Sequence, residues 1–219
     1  MNEIIALIAV KGNSKRIHKK NIRPFHDTNL LQLKLNQIKQ VKNIDKIIVS
    51  SESKECLDIA KANDVAVHVR DSKYSTSEIP MSEVYSHLAS ECDGENIVWV
   101  PVTNPLANSE VYEKAIDLYK SMDSKYDCLL SACKFKDYVF YKGKPVGFKP
   151  NPWPKSQDLN NLLTLSFVVN IIKRNHMISY GSLVGRKPLF YFLDTIVSWD
   201  IDFQEDFDFC EMIYKARKN

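Results

Sequence analysis

The sequence predicts an α/β fold: three layers, a mainly parallel twisted sheet with helices on both faces, and one inserted arm. Three observations predict it. Strand-like runs alternate with segments of helical period, the βαβα order that parallel crossovers require. The runs, beginning with residues 4–10, are apolar without alternation, as strands buried on both faces are. A basic, glycine-containing loop at residues 11–23 follows the first run directly, at the strand end where open α/β sheets bind ligands.

Residues 4–10 are the first strand. Leu31, Leu35 and Ile38, spaced by four and three, predict a helix over 28–41. Residues 46–50 are a second strand, and 53–63 a short helix with Cys56, Leu57 and Ala60 inward. Residues 65–69 are a third strand, and 81–91 a helix. Residues 96–102 form a fourth strand, ended by Pro101 and Pro105. Asn108 or Ser109 caps the next helix, with Tyr112, Ala115, Ile116 and Tyr119 facing in. Residues 127–133 are a fifth strand. The pattern then breaks between 134 and 165, where Pro145, Pro150, Pro152 and Pro154 exclude a plain helix. This segment reads as an arm with hairpin-like turns. Its aromatic residues Tyr138, Phe140, Tyr141, Phe148 and Trp153 need something to pack on, a subunit partner or the arm's own domain. Strand character returns at 167–172 and 189–193. A last helix carries Phe203, Phe207, Cys210 and Tyr214 on one face.

The 219 residues are read as one domain with this insertion. A hydrophobic share of 44% with 26% charged residues is that of an ordinary globular chain. The net charge of only +3 argues against a general nucleic-acid coat, so the basic loop is a local concentration. No apolar run approaches the roughly 20 residues of a membrane span. A start that runs straight into a strand, with no signal-like segment, makes cytoplasmic residence the expectation. Five cysteines without a C-x-x-C pair read as buried free thiols, and scattered histidines give no structural zinc pattern.

Three constellations carry chemistry. The loop at 11–23 holds six cations (Lys11, Lys15, Arg16, Lys19, Lys20, Arg23) and no acid. Backbone N–H groups around Gly12 and these side chains suit an anion such as a triphosphate. The loop is neither a Walker A motif nor a dinucleotide fingerprint, and a solvated basic face remains the alternative. Asp200-Ile201-Asp202 comes second. At i and i+2 of an extended segment both carboxylates share a face, and paired hard oxygens suit Mg²⁺ together with substrate phosphates. Asp202 has an alternative as the cap of the last helix, since Asp202 to Glu205 reads like a capping box. The third is Val102-Thr103-Asn104-Pro105-Leu106, polar residues at a strand end. They suit a substrate loop, although taken alone the feature reads first as a turn with a helix cap.

Together these segments resemble the acylneuraminate cytidylyltransferase (CMP-sialic acid synthetase) family along the whole chain. The family motif A-R-G-G-S-K-R-I-P-x-K-N is similar to residues Ala9 to Asn21, and its V-S-T-D strand end to Val49-Ser50-Ser51-Glu52. Its arginine after the third strand matches Arg70, and its P-T-S-P-L loop loosely matches Val102 to Leu106. Its Q-D-L matches Gln157-Asp158-Leu159, and its D-I-D-x-x-x-D-F ending matches Asp200-Ile201-Asp202 with Asp206-Phe207.

The resemblance implies a Rossmann-like nucleotidyltransferase that moves CMP from CTP to the anomeric hydroxyl of a keto-sugar acid, releasing pyrophosphate, for a surface glycan. It implies that Lys11, Gly12, Ser14, Lys15 and Arg16 hold the triphosphate, and that Lys20 and Asn21 touch the nucleotide. Arg70 and Ser82 would line the cytidine side, with Thr103, Asn104, Gln157 and Asp158 also contacting substrate. Lys15, Arg16, Asp200 and Asp202 are the expected catalytic set, with Asp200 and Asp202 holding Mg²⁺. It further implies a homodimer in which the arm of 134–165 docks over the partner's site and Lys155 reaches a sugar carboxylate.

The departures from the family pattern fall mostly on the side that would face the sugar. Pro101 and Ala107 flank the strand-end loop, and Ser166-Phe167 replaces an N-G pair. Lys11 replaces an arginine, keeping the charge without the fork. Asn13 replaces a glycine, a change that asparagine's tolerance of left-handed geometry would accommodate. Other readings are a CTP-dependent enzyme with a phosphate or phosphonate acceptor, a nucleic-acid-binding protein, and an inactive homologue serving as a binding subunit.

Overall fold

The computed structural model describes residues 3–160 and 162–218. The chain runs β1 (Ile4–Ala9), α1 (Leu30–Ile38), β2 (Lys46–Ser51), α2 (Lys54–Ala62) and β3 (Ala66–Val69). A 3₁₀ turn (Ser72–Ser75) leads to α3 (Met81–Ser90), β4 (Asn96–Trp99), α4 (Ser109–Lys120) and β5 (Cys128–Phe135). The arm holds β6 (Val139–Tyr141), β7 (Lys144–Val146) and a second 3₁₀ turn (Ser156–Asp158). Then follow β8 (Leu162–Lys173), α5 (Arg174–Tyr180), β9 (Pro188–Phe192) and α6 (Gln204–Lys218).

Seven strands form one sheet in the order β3-β2-β1-β4-β8-β5-β9. Every pairing is parallel except those of β8, which is antiparallel to both β4 and β5. The fold is thus the mainly parallel three-layer one expected, with one reversed strand. An antiparallel return needs no crossover helix, so the chain can leave β5, make its excursion and come back beside it.

The core explains the unbroken apolar strands. Ile4, Ala6 and Ile8 of β1 enter the layer containing α1, α2, α4 and α6, while Ile5 and Leu7 enter the layer of α3 and α5. Helix starts are fixed by short polar side chains. Asn29 accepts from the Gln32 N–H at 2.9 Å, and Asn108 accepts from the Val111 N–H at 3.3 Å. All five cysteines are buried and unbridged. No described helix is long and apolar enough to cross a membrane.

Three expectations need correction. Both ends of the 134–165 segment belong to the main sheet, because β8 begins at Leu162 and pairs Leu162 to Leu165 with Phe135 to Ala132. That end of β8 is half-open, with Leu163 and Leu165 exposed, so it does not read as a buried strand. Between Leu130 and Ala132 the register shifts, and Phe167 opposite adopts φ +52°. Phe203 is not on the inner face of the last helix. It precedes α6 and is 56% exposed, while Phe207 and Cys210 are buried. Asn13 is not left-handed; within the basic loop that conformation falls on Lys19, φ +49°. Helix α5 has no sequence counterpart, since it buries only Met177 and so shows no period.

The arm's hairpin turns at Lys142 and Gly143, both with positive φ, the geometry that matches strand twist in a two-residue turn. Tyr138 stacks on Trp153 at 4.9 Å, and Phe148 lies edge-on to both. Phe140, Tyr141 and Trp153 nevertheless remain more than half exposed.

Candidate active site

The chain passes from β1 to β2 and β3 on one side, then places β4 on the other side of β1. Ligands of open α/β sheets bind at such a switch point, beyond the strands' C-terminal ends. A cleft of about 790 Å³ opens there. The loop after β1 supplies Lys11, Ser14, Lys15, Arg16, Lys20 and Asn21 to one wall. Residues 75–78 form the opposite wall, Thr103 closes the end of β4, and Tyr85 and Trp99 meet edge to face at 5.2 Å on the apolar floor. Lys15 Nζ crosses the cleft to donate to Ser77 Oγ at 2.8 Å.

The basic loop is held from below by one half-buried acid. Glu52, at the end of β2, accepts from the Gly12 N–H at 2.8 Å, from Ser75 Oγ at 2.7 Å and from Arg70 Nη2 at 2.9 Å. Burial pushes the Glu52 pKa up, but those three bonds outweigh it and leave the carboxyl below its ordinary value. Arg70 also donates to Val10 O and, through Nε, to Ser75 Oγ at 3.0 Å. Lys11 sits lowest in the loop, where burial and then the Arg70 charge depress its pKa.

Gly12 is required by close approach. A Cβ there would stand 2.4 Å from Ser53 Cβ, in the cap of α2. Gly12→Ala is expected to push the loop away from Glu52, with a stability cost of about 1–3 kcal/mol. A thermal melt checks it.

The loop reaches the distant acidic residues because it docks on α6. Phe25 packs edge-on to Phe207 at 5.2 Å, and the Arg23 guanidinium lies over the same Phe207 ring at 4.7 Å. Arg16 then meets Asp202 at 2.5 Å and lies over the exposed Phe203 ring at 5.0 Å. Lys20 Nζ donates to Ile201 O. Burial lowers the Lys20 pKa, with Asp200 and Asp202 opposing the shift. Asp202 does not cap the last helix with its side chain. Asp206 Oδ2 accepts from the Asp202 and Phe203 N–H groups at 3.0 and 2.8 Å, and Asp206 Oδ1 accepts from Trp199 Nε1 at 3.0 Å. The Asp202 carboxylate is thereby left for the loop. Asp200 opens to solvent, yet the protein around it strips hydration and raises its pKa. A hydrogen bond from Thr103 opposes this, and neighbouring Asp202 adds to it.

The structure therefore gathers Lys11, Ser14, Lys15, Arg16, Lys20, Asn21 and Thr103 around one cleft, with Asp200 and Asp202 at its edge. Arg70 lies beneath the loop, with Nε bonded to Ser75 and Nη2 to Val10 O and Glu52. Asn104 is buried, its amide donating to Trp199 O at 3.1 Å. Ser82, on the first turn of α3, lies against Gly181 at the end of α5. Gln157 and Asp158 are exposed on the arm, away from the cleft lining, and Lys155 is exposed beside them. Sequence reasoning missed Tyr85, Trp99, Ser77 and the supporting Asp206. Trp99, one position before the end of the fourth strand's buried run, was the available signal.

A second cleft of about 470 Å³ lies on the other side of Asp200, between the open end of β8 and the segment before α6. Lys134, Phe167, Ser166 and Ser198 line it, and both serine hydroxyls are buried there without partners. Asp200 thus faces one cleft and lies beside Thr103, which lines the other. Among the described residues no three His, Cys, Asp or Glu side chains converge as a complete metal site. Two carboxylates whose charges repel, beside a cleft lined by Lys11, Lys15, Arg16 and Lys20, do fit a hard cation that completes its shell with other oxygen ligands.

Residues 5–217 match the sequence model of the cytidylyltransferase family. Post-translational flagellin modification protein B of Campylobacter coli is 23% identical over 99% of this chain and 97% of its own length. N-acylneuraminate cytidylyltransferase of Escherichia coli is 24% identical over 98% of this chain, which spans 53% of that relative. In fold, CMP:2-keto-3-deoxy-manno-octonic acid synthetase, solved in complex with CTP, superposes with a TM-score of 0.73 at 8% identity. The match covers 98% of this chain and 99% of that one.

Proposed function

Because this chain belongs to the cytidylyltransferase family, we propose that it transfers CMP from CTP to the anomeric hydroxyl of a sialic-acid-like keto-sugar acid, releasing pyrophosphate. The contact between Arg16 and Asp202 carries the reading. It joins a triphosphate-sized basic wall to a pair of carboxylates at the sheet's switch point.

In this reaction the hydroxyl oxygen forms a bond to the α-phosphorus while the bond from that phosphorus to the β-phosphate oxygen breaks. The hydroxyl proton is lost, and pyrophosphate leaves. Such a transfer needs charge neutralisation and alignment more than a covalent nucleophile. Lys11, Ser14, Lys15 and Arg16 hold the triphosphate, Lys20 and Asn21 touch the nucleotide, and Arg16 with Lys20 reaches the acidic segment. Tyr85 and Trp99 give the nucleoside an apolar floor, and Arg70 shapes the loop from beneath. The acceptor occupies the second cleft, with its carboxylate toward Lys134 and its hydroxyls toward Ser166 and Ser198. Asp200 and Asp202 would hold Mg²⁺, which when bound neutralises phosphoryl charge and acidifies an oxygen in contact with it. The exposed aromatic residues of the arm are the surface for a second copy. Five buried free thiols suit a reducing cytoplasm.

CTP at a thousandfold excess over its Kd should stabilise the protein by about 4 kcal/mol, visible as a raised melting temperature, whereas ATP should not. Lys15→Ala with Arg16→Ala should weaken CTP binding by about 10²–10⁴-fold, since charge-assisted bonds contribute about 1.5–3 kcal/mol each. Their removal should barely change the apo melt, because both side chains are solvent-exposed. A shift equal for CTP and ATP, or a double variant with unchanged CTP affinity, contradicts the assignment.

A further inference from the structure

Lys34 is a buried cation with no acid partner. It lies on α1 at 0% exposure. Its ammonium donates to Asn104 O at 2.9 Å, Ala107 O at 3.2 Å and Tyr112 Oη at 2.9 Å. A lone buried charge is costly to a fold, and a stable core would accept an apolar side chain more readily. Its acceptors indicate what it does. Two of the three are carbonyls of the loop 101–108 that joins β4 to α4.

That loop is irregular and largely buried, so its carbonyls must find donors elsewhere. Five consecutive ones do. Thr103 O accepts from the Ile201 N–H at 2.9 Å, and Asn104 O and Ala107 O accept from Lys34. Pro105 O accepts from Gln37 Nε2 at 2.9 Å, and Leu106 O from Arg217 Nη1 at 3.2 Å. The same loop grips the acidic segment on its other side. Asn104 Nδ2 donates to Ser198 O at 3.4 Å and Trp199 O at 3.1 Å, and the Thr103 side chain lies beside Asp200, where it opposes the rise in that carboxyl's pKa.

We infer that Lys34 is a positioning residue for the carboxylate pair: its buried ammonium fixes the loop 101–108, which in turn fixes Ser198–Ile201 and the Asp200 carboxylate. Lys34 itself reaches neither cleft. The consequence for catalysis rests on the proposed function; the mechanical link does not.

The geometry carries a pH dependence. Burial alone lowers the Lys34 pKa, to about 7. The titratable side chain in contact with it is Tyr112 of α4, whose phenol burial keeps neutral, and the charged neighbour on the same loop is Arg217 of α6. Above neutral pH the ammonium becomes a neutral amine that donates to the Asn104 and Ala107 carbonyls and accepts from the Tyr112 hydroxyl, so the clamp loses the charge that strengthens its bonds to the loop.

Amide hydrogen exchange by NMR on the full chain tests the link in the wild type, Lys34→Gln and Lys34→Met. The Ile201 N–H should exchange about tenfold faster in both variants while the β1 amides keep their wild-type rates. In the wild type, the ratio of Ile201 exchange to β1 exchange should rise about threefold or more between pH 6 and pH 8.5, and this limb should be absent from a folded Lys34→Met. Unchanged Ile201 protection in folded variants, or a flat wild-type ratio, overturns the inference. If neither variant folds, the wild-type ratio decides. In turnover, Lys34→Gln should lower kcat with CTP affinity kept within about threefold. A wild type that turns over no CTP would count against the proposed function and leave the exchange result standing.

Discussion

Asp200→Asn lowers kcat for CMP transfer by about 10²–10³, equivalent to about 3–4 kcal/mol of transition-state stabilisation, and melts at or above the wild-type temperature. Both parts follow from its surroundings. Asp200 lines the second cleft, beside Thr103 and Asp202. Loss of hydration and then the like charge raise its pKa above the ordinary 3.8. An acid with a raised pKa binds its proton more tightly in the folded state. Its contribution to stability is therefore greatest at acid pH and falls as pH rises from 3.8 through the raised value. At neutral pH the wild-type carboxylate is a repulsive charge kept for chemistry, and the amide removes the repulsion. Steady-state rates of pyrophosphate release, with calorimetric melts on the same samples, check both halves. A variant that loses activity by melting early would make Asp200 a structural residue.

Glu52→Ala has the opposite signature and destabilises the protein by about 3–5 kcal/mol, a drop of about 10 °C in melting temperature for a chain of this size. It leaves the Arg70 side chain, 2% exposed, without its carboxylate, and frees the Gly12 N–H and Ser75 hydroxyl together. CTP binding should weaken in parallel, because the loop that carries Lys11 to Arg16 loses its anchor. The wild type should show the same dependence on pH. A carboxyl held below its ordinary 4.5 contributes stability that is complete above that value and lost as pH falls through the folded pKa. The acid limb of wild-type stability should therefore be shallower in Glu52→Ala. Equal limbs would show that the network contributes nothing.

How much was legible in the sequence depends on whether a residue's role is local. The basic loop after β1 could be read, because a buried strand, a glycine and six cations lie within 20 residues. The parallel sheet could be read because burial on both faces leaves unbroken apolar runs. The reversal of β8 could not, since an apolar segment such as Phe167 to Ile172 carries no mark of direction. Glu52 stood in a recognisable motif, but its work depends on Gly12, Arg70 and Ser75, which only the fold assembles. Arg70 illustrates the same limit: a cation near the strand ends reads as a ligand contact until its partners are known. Asp202 had two readings, and the fold resolves them: its carboxylate meets Arg16, while Asp206, four residues on, reaches back to the Asp202 and Phe203 N–H groups at the start of α6. Lys34 gave no signal at all. A lysine within Leu30 to Ile38 reads as a solvated face, and only the path of the 101–108 loop puts it in the core.

The most direct measurement is pyrophosphate release from each of the four nucleoside triphosphates with Mg²⁺ and a panel of acceptors: sialic, legionaminic, pseudaminic and Kdo-type acids, with phosphorylated small molecules as controls. The predicted result is release from CTP alone, dependent on one or more of the keto-sugar acids, and lost when Lys15 and Arg16 are removed together. Release from CTP with none of the acceptors, or equal release from all four triphosphates, would contradict it.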